Sequence, residues 1–240
     1  MALPKPDWDM VAQTAQEQAA QYYPGNLVCL VQSFVLKMTI HILFARDLSA
    51  LDDETISASR ANPWAKQHKM HEALRQLAAE YDPLDMQNNA MNLILPAFET
   101  MWRVVFRCFI EVRFRGAEER KKWMEALRAY LKNPSPQSDT VCKDNADVAL
   151  VRTIVREALR LYPLTWHIHR HFGNASGTSS LVTADIEGLH RDTEIWGDDA
   201  ERFVPTRWIS TSLETEDSKA WMPFGASPFL CPAKQDFGPS

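Results

Sequence analysis

The stretch Trp221-Met-Pro-Phe-Gly-Ala-Ser-Pro-Phe-Leu-Cys231-Pro-Ala-Lys-Gln-Asp-Phe-Gly-Pro-Ser240 decides how the rest of the chain is read. One cysteine lies in it among apolar, small and proline residues, and none of the seven residues before Cys231 is charged. Gly225 can enter backbone angles closed to residues with a Cβ, so a sharp bend is expected there. Pro232 lacks an N–H and fixes φ, which suits the first turn of a helix beginning just after Cys231. A thiolate at that place would gain from the partial positive charge of the helix N-terminus. A buried structural cysteine answers the same pattern, because free cysteines behave as small hydrophobes. The loop by itself leaves both readings open.

Around this loop the chain has 240 residues, 45% of them hydrophobic and 24% charged, which is ordinary for a soluble globular protein. Its net charge of −5 gives no reason to expect nucleic-acid binding. Glycine is scarce and helix formers are common, so a mainly α fold is expected. The four cysteines, Cys29, Cys108, Cys142 and Cys231, show no C-x-x-C spacing. Neither a zinc site nor a dense disulfide framework follows from them, and a reducing compartment fits. The N-terminus has no apolar core after a basic start, so no signal peptide is expected. Residues 27–45 form the one membrane candidate. Gln32, Lys37 and His41 would be costly in lipid, which favours a buried or amphipathic helix.

Helical spacing predicts helices over 8–22, 27–45, a segment opened by Pro63, 84–114, 117–132 and 146–161. The apolar run 84–114 reads as a central, mostly buried helix with Pro96 kinking it. Glu99 and Thr100 follow the proline. Back-bonding of Thr100 to the helix and pairing of Glu99 with Arg103 would account for both. Glu157 and Arg160 stand three apart on one helix face, as ion-pair partners do. After Tyr162-Pro163, short apolar runs and turns replace helices. Residues 166–171 and 180–183 read as strands. His167, His169 and His171 would share one strand face, a weak metal signal.

Taken together these segments resemble the cytochrome P450 family of haem-thiolate monooxygenases. Pro96-Ala-Phe-Glu99-Thr100 is similar to the family's oxygen-activation motif, and Glu157-Ala-Leu-Arg160, with Leu161-Tyr162-Pro163 behind it, to its E-x-x-R motif. Leu189-His-Arg-Asp192, Trp196-Gly197 and Phe203-Val-Pro205-Thr-Arg207-Trp208 resemble its H-R-D and F-x-P-x-R-W segments. Phe224-Gly225 with Cys231 resembles its cysteine-ligand loop. The signals occur in the family's order. They cover residues 90–240 clearly and 26–90 loosely, and the loop variant points to a fungal branch.

The resemblance implies a mainly α fold with a small β region, an incomplete P450 domain over 1–240. Its helical part would be 26–161, and its β-rich and ligand-loop part 162–240. It implies haem b as cofactor, with Cys231 the iron ligand and Phe224 and Arg170 also at the haem, Arg170 meeting a propionate. Glu99 and Thr100 would serve oxygen activation and proton delivery. Glu157, Arg160 and Arg207 would form a buried structural triad, and His167 to His171 would need no metal. O2, a small apolar organic substrate, possible secondary metabolism and an NADPH-cytochrome P450 reductase complete the expectation. The place would be the cytoplasm or the face of the endoplasmic reticulum. Ser227 and Phe229 stand where the family carries glycine and a basic residue, the W-x-x-x-R helix is not found, and the chain reads as truncated at both ends. The alternative is a haem-free, inactive fragment; a histidine-metal hydrolase is a third and weaker reading.

Overall fold

The computed structural model describes residues 8–20, 26–44, 51, 56, 63–116, 119–132, 146–173, 179–210, 220–227, 230, 231 and 234. These are mostly helical, with one two-stranded sheet. They fall into two compact units, Met1–Trp102 and Arg103–Ser240.

In the first unit α1 (Trp8–Ala20) packs on α2 (Leu27–Phe44). Asn26 starts α2 by accepting the backbone N–H of Val28 at 2.9 Å, as a capping asparagine does. By length and composition α2 could cross a membrane. It nonetheless buries Lys37 and His41 beside Val35, Met38, Ile40 and Leu43, and His41 Nε2 lies 3.4 Å from Thr14 Oγ1. Pro63 precedes a 3-10 turn at Trp64–Lys66, and α3 (His68–Leu77) buries Met70, Ala73, Leu74 and Leu77 at helical spacing.

Helix α4 runs from Met91 to Ile110 and ends in a π turn, Glu111–Arg115. It begins later than expected because Asp and Asn side chains upstream capture backbone N–H groups. Asp82 accepts from Leu84, Asp85 from Gln87 and Asn89 from Met91, each a turn that competes with helix. The expectation of a mostly buried helix is corrected as well. Only Ile94 and Val104 are buried on it, while Leu95, Val105 and Phe109 are exposed.

In the second unit α5 (Arg120–Lys132) packs on α6 (Ala146–Leu161) through Trp123, Ala126, Leu150, Val151 and Ile154, with Val112 from the π turn. The hairpin of β1 (His167–Gly173) and β2 (Ser179–Asp185) is antiparallel, with His167 opposite Asp185 and Arg170 opposite Val182. Three short helices follow where none was expected: α7 (Ile186–Arg191), α8 (Thr193–Trp196) and α9 (Arg207–Ser210). The first two are started by aspartates. Asp185 accepts the N–H of Gly188 at 2.8 Å, and Asp192 that of Glu194 at 2.9 Å. Such short helices carry too few residues for an apolar period to show.

Candidate functional site

Glu157 and Arg160 lie one turn apart on α6, and both are fully buried. Arg160 grips Glu157 with a two-pronged pair, Nε to Oε2 at 3.0 Å and Nη2 to Oε1 at 2.8 Å. Arg207 Nε donates to Glu157 Oε1 at 3.1 Å, Trp208 Nε1 to Oε2 at 2.9 Å and the Val204 N–H to Oε1 at 2.9 Å. The remaining guanidinium N–H groups reach backbone carbonyls. Arg160 donates to those of His190, Ala200 and Arg202. Arg207 donates to those of Trp196 and Asp199 and to the Asp199 carboxylate at 2.9 Å. A buried ion pair is tolerable when its remaining lone pairs and protons are met in this way. The triad residues Glu157, Arg160 and Arg207 are therefore brought together. The sequence reading gave no role to Trp208 or His190, although both sit inside quoted motifs, and Asp199 carried no signal.

From this network the chain leads to the cysteine loop. His190 is fully buried on α7. Its Nδ1 lies 3.0 Å from the Arg160 carbonyl, and its Nε2 accepts the Met222 N–H at 2.9 Å. A carbonyl only accepts and an amide N–H only donates, so the ring is the neutral Nδ1–H tautomer. Burial pushes its pKa down to about 4, against the Arg160 hydrogen bond, which raises it. Aromatic rings run alongside. Trp196 packs on Trp208 and Trp208 on Trp221, with centroids 5.6 and 5.4 Å apart. The Arg160 guanidinium lies 5.0 Å from the Trp196 ring centre.

The loop turns as the glycine predicts. Gly225 has φ +76°, and its N–H donates to the Met222 carbonyl at 3.1 Å. The neck closes where the Cys231 N–H donates to the Phe224 carbonyl at 2.8 Å. The Lys234 N–H donates to the Cys231 carbonyl at 3.0 Å, one turn of helical type beyond the cysteine. Pro232 and Phe229 lie outside the described residues. Phe224 is buried with Val104, Ala158 and Leu159, and Cys231, Leu164, Phe203 and Trp221 pack on that cluster.

Among the described cysteines the environments differ. Cys29 is exposed. The Cys108 thiol is pushed up to about 12 by burial first and by the Glu111 charge second, which keeps it protonated and inert. Cys231 is half-buried at the edge of an apolar cluster. A half-buried soft sulfur on a pinned loop with apolar walls is a donor that would suit haem iron. No group of three or more His, Cys, Asp or Glu could hold a bare metal ion among the described residues. His167 and His169 instead stack on each other, and His169 Nδ1 lies 2.9 Å from Thr183 Oγ1.

The other expected site residues show local hydrogen bonds. Arg170 is exposed on β1, with a contact to the neighbouring His169 carbonyl at 3.4 Å. Glu99 and Thr100 belong to the first unit. The Thr100 hydroxyl donates back to the Pro96 carbonyl at 2.8 Å, and Glu99 Oε2 lies 3.5 Å from Trp102 Nε1. A further cluster escaped the sequence reading. The Tyr162 hydroxyl and Arg115 both donate to Glu111 Oε1 at the π turn, and Tyr162 is pushed up to about 12 by burial and by that hydrogen bond.

Comparison with known proteins supports one family. A family model described as Cytochrome P450 matches residues 137–233. Putative cytochrome P450 cyp-13B1 of Caenorhabditis elegans is 35% identical over 96 residues, 37% of this chain and 18% of that protein. Putative cytochrome P450 CYP13A5 of the same organism is 30% identical over 125 residues, 49% of this chain and 23% of that one. Cytochrome P450 71A20 of Arabidopsis thaliana is 26% identical over 160 residues, 62% and 32%. The chain thus spans under a quarter of the length of these nematode relatives. The solved structure of retinoic acid bound cyanobacterial CYP120A1 superposes with a TM-score of 0.60 at 16% identity, covering 96% of this chain and 62% of that one. That likeness concerns the fold, which is an incomplete P450 fold.

Proposed function

We propose that this chain is the cysteine-ligand part of a cytochrome P450, a haem-dependent monooxygenase acting on a small apolar organic substrate. Members of this family carry haem iron, and the matches point to monooxygenase chemistry in general. The observation that carries the reading is the tie between Cys231 and the buried Glu157–Arg160–Arg207 network, made through His190 and the closed neck of the loop. Haem bound at Cys231 would supply the activation of dioxygen, which a thiolate ligand favours. The chain's own part is to hold that sulfur still, to wall it with Phe224 and its neighbours, and to deliver protons. Glu99 and Thr100 are assigned the proton role, and Arg170 a propionate contact; both assignments rest on motif position. We read residues 1–240 as one partial domain. NADPH-cytochrome P450 reductase is the proposed electron donor, and the cytoplasm or the face of the endoplasmic reticulum the proposed place. The fungal branch rests on the variant loop alone, the relatives reported above being from a nematode and a plant; a role in secondary metabolism is part of the same proposal.

The second reading is a haem-free and inactive P450-like fragment, in which Phe229 stands where the family carries a basic residue. Expression with added haem, followed by reduction and carbon monoxide, separates the two. The expected result is a thiolate-type, red-shifted Soret band that Cys231→Ala abolishes. No haem uptake, or a spectrum indifferent to that substitution, establishes the fragment.

A further inference from the structure

We propose that His190 is a positioning residue for the cysteine loop, its imidazole fixed as the Nδ1–H tautomer between the Arg160 carbonyl and the Met222 N–H. Arg160 is fully buried and its guanidinium spans Glu157 and three carbonyls. The Arg160 carbonyl lies at the end of α6, where a free carbonyl needs a donor, and His190 Nδ1 supplies one at 3.0 Å. The other ring nitrogen then points its lone pair at Met222, and Met222 in turn accepts from Gly225 at the bend. The path from buried ion pair to thiol is therefore Arg160, His190, Met222, Gly225, Phe224 and Cys231, bonded at every non-sequential step. The imidazole suits the place because its donor and acceptor lie at different distances from Cβ, so one ring meets both the Arg160 carbonyl and the Met222 N–H, whereas an Asn or Gln amide sets its polar atoms at one depth only. That the loop holds haem rests on the reading above; that His190 orders the loop does not.

Two substitutions split the ring's edges. In His190→Asn the amide sits near the place of Nδ1 and can still donate to Arg160, but nothing reaches Met222. In His190→Gln the longer side chain sets its carbonyl oxygen near the place of Nε2 and can still accept from Met222. Hydrogen–deuterium exchange of the full chain without haem reads the Met222 and Cys231 amides. His190→Asn is expected to speed their exchange roughly tenfold, the size of one lost hydrogen bond, with His190→Gln close to the parent. Equal protection in both variants, or equal loss in both, overturns the proposal. Should neither variant fold, the ring carbon shifts of His190 in the parent chain decide. The Nδ1–H form supports the proposal, and the Nε2–H form or a freely titrating ring overturns it. With haem, the thiolate-type Soret band is expected to survive in His190→Gln and to weaken in His190→Asn. If the parent itself takes up no haem, the haem reading fails while the exchange result still decides the role of His190.

Discussion

Glu157 accepts hydrogen bonds from Arg160, Arg207, Trp208 and the Val204 backbone. Glu157→Ala leaves the buried Arg160 guanidinium without a carboxylate and Arg207 with Asp199 alone. The expected loss is about 3–5 kcal/mol of stability, seen as a lower midpoint in urea unfolding. His190 makes a pH-dependent contribution. Around it stand Arg160, and Glu157 behind that guanidinium, from α6, and Arg191 from its own helix, which is turned to the Leu161 carbonyl; Trp221 to Leu230 bring no charge. Its folded pKa of about 4 lies below the usual 6.5. The unfolded chain therefore takes up a proton first as pH falls. The contribution is full above about pH 6.5 and is lost by about pH 4, on the order of 3 kcal/mol. Unfolding midpoints across that window should fall with pH, and the slope should shrink in His190→Gln. Gly225 at φ +76° is a third case. Gly225→Ala is expected to cost about 1–2 kcal/mol in thermal unfolding, because a Cβ is strained in that region.

Elements differ in how legibly the sequence announces them. Helices α5 and α6 were readable because their apolar residues recur at helical spacing and meet in one core around Trp123 and Ile154. The start of α4 was not, because the side chains of Asp82, Asp85 and Asn89 compete with the helix for backbone N–H groups. Nor were α7 and α8, which rest on the caps Asp185 and Asp192 and on burial of Ile186, His190 and Trp196. In the candidate site, charge spacing exposed Glu157 and Arg160, and family order exposed Arg207 and Cys231. His190 stayed hidden since its partners are backbone groups 30 and 32 residues away. Within α4, Pro96 removes the N–H that would bond the Asn92 carbonyl one turn earlier. Pro96→Ala is expected to stabilise the chain by roughly 1–3 kcal/mol in thermal unfolding. A lower midpoint would mean that the surrounding residues depend on the interrupted ladder.

At the scale of the molecule, several apolar side chains remain open to solvent. Val105 and Phe109 lie one helical turn apart, and Phe114 packs edge-on to Phe109 at 6.0 Å while itself 60% exposed. A hydrophobic dye is expected to bind the folded chain, and Phe109→Ser with Phe114→Ser to reduce that binding. The Glu157–Arg160 network also has a temporal consequence. Its partners come from 30 to 51 residues further along the chain. Each of those loops must close before the buried charges are met, so the pair is expected to stay solvated during early collapse and to be desolvated late. Substitutions there are expected to act chiefly on the rate of unfolding and to leave the folding rate near the parent's in stopped-flow measurements, with the cysteine loop, tethered to the same knot, expected to order late.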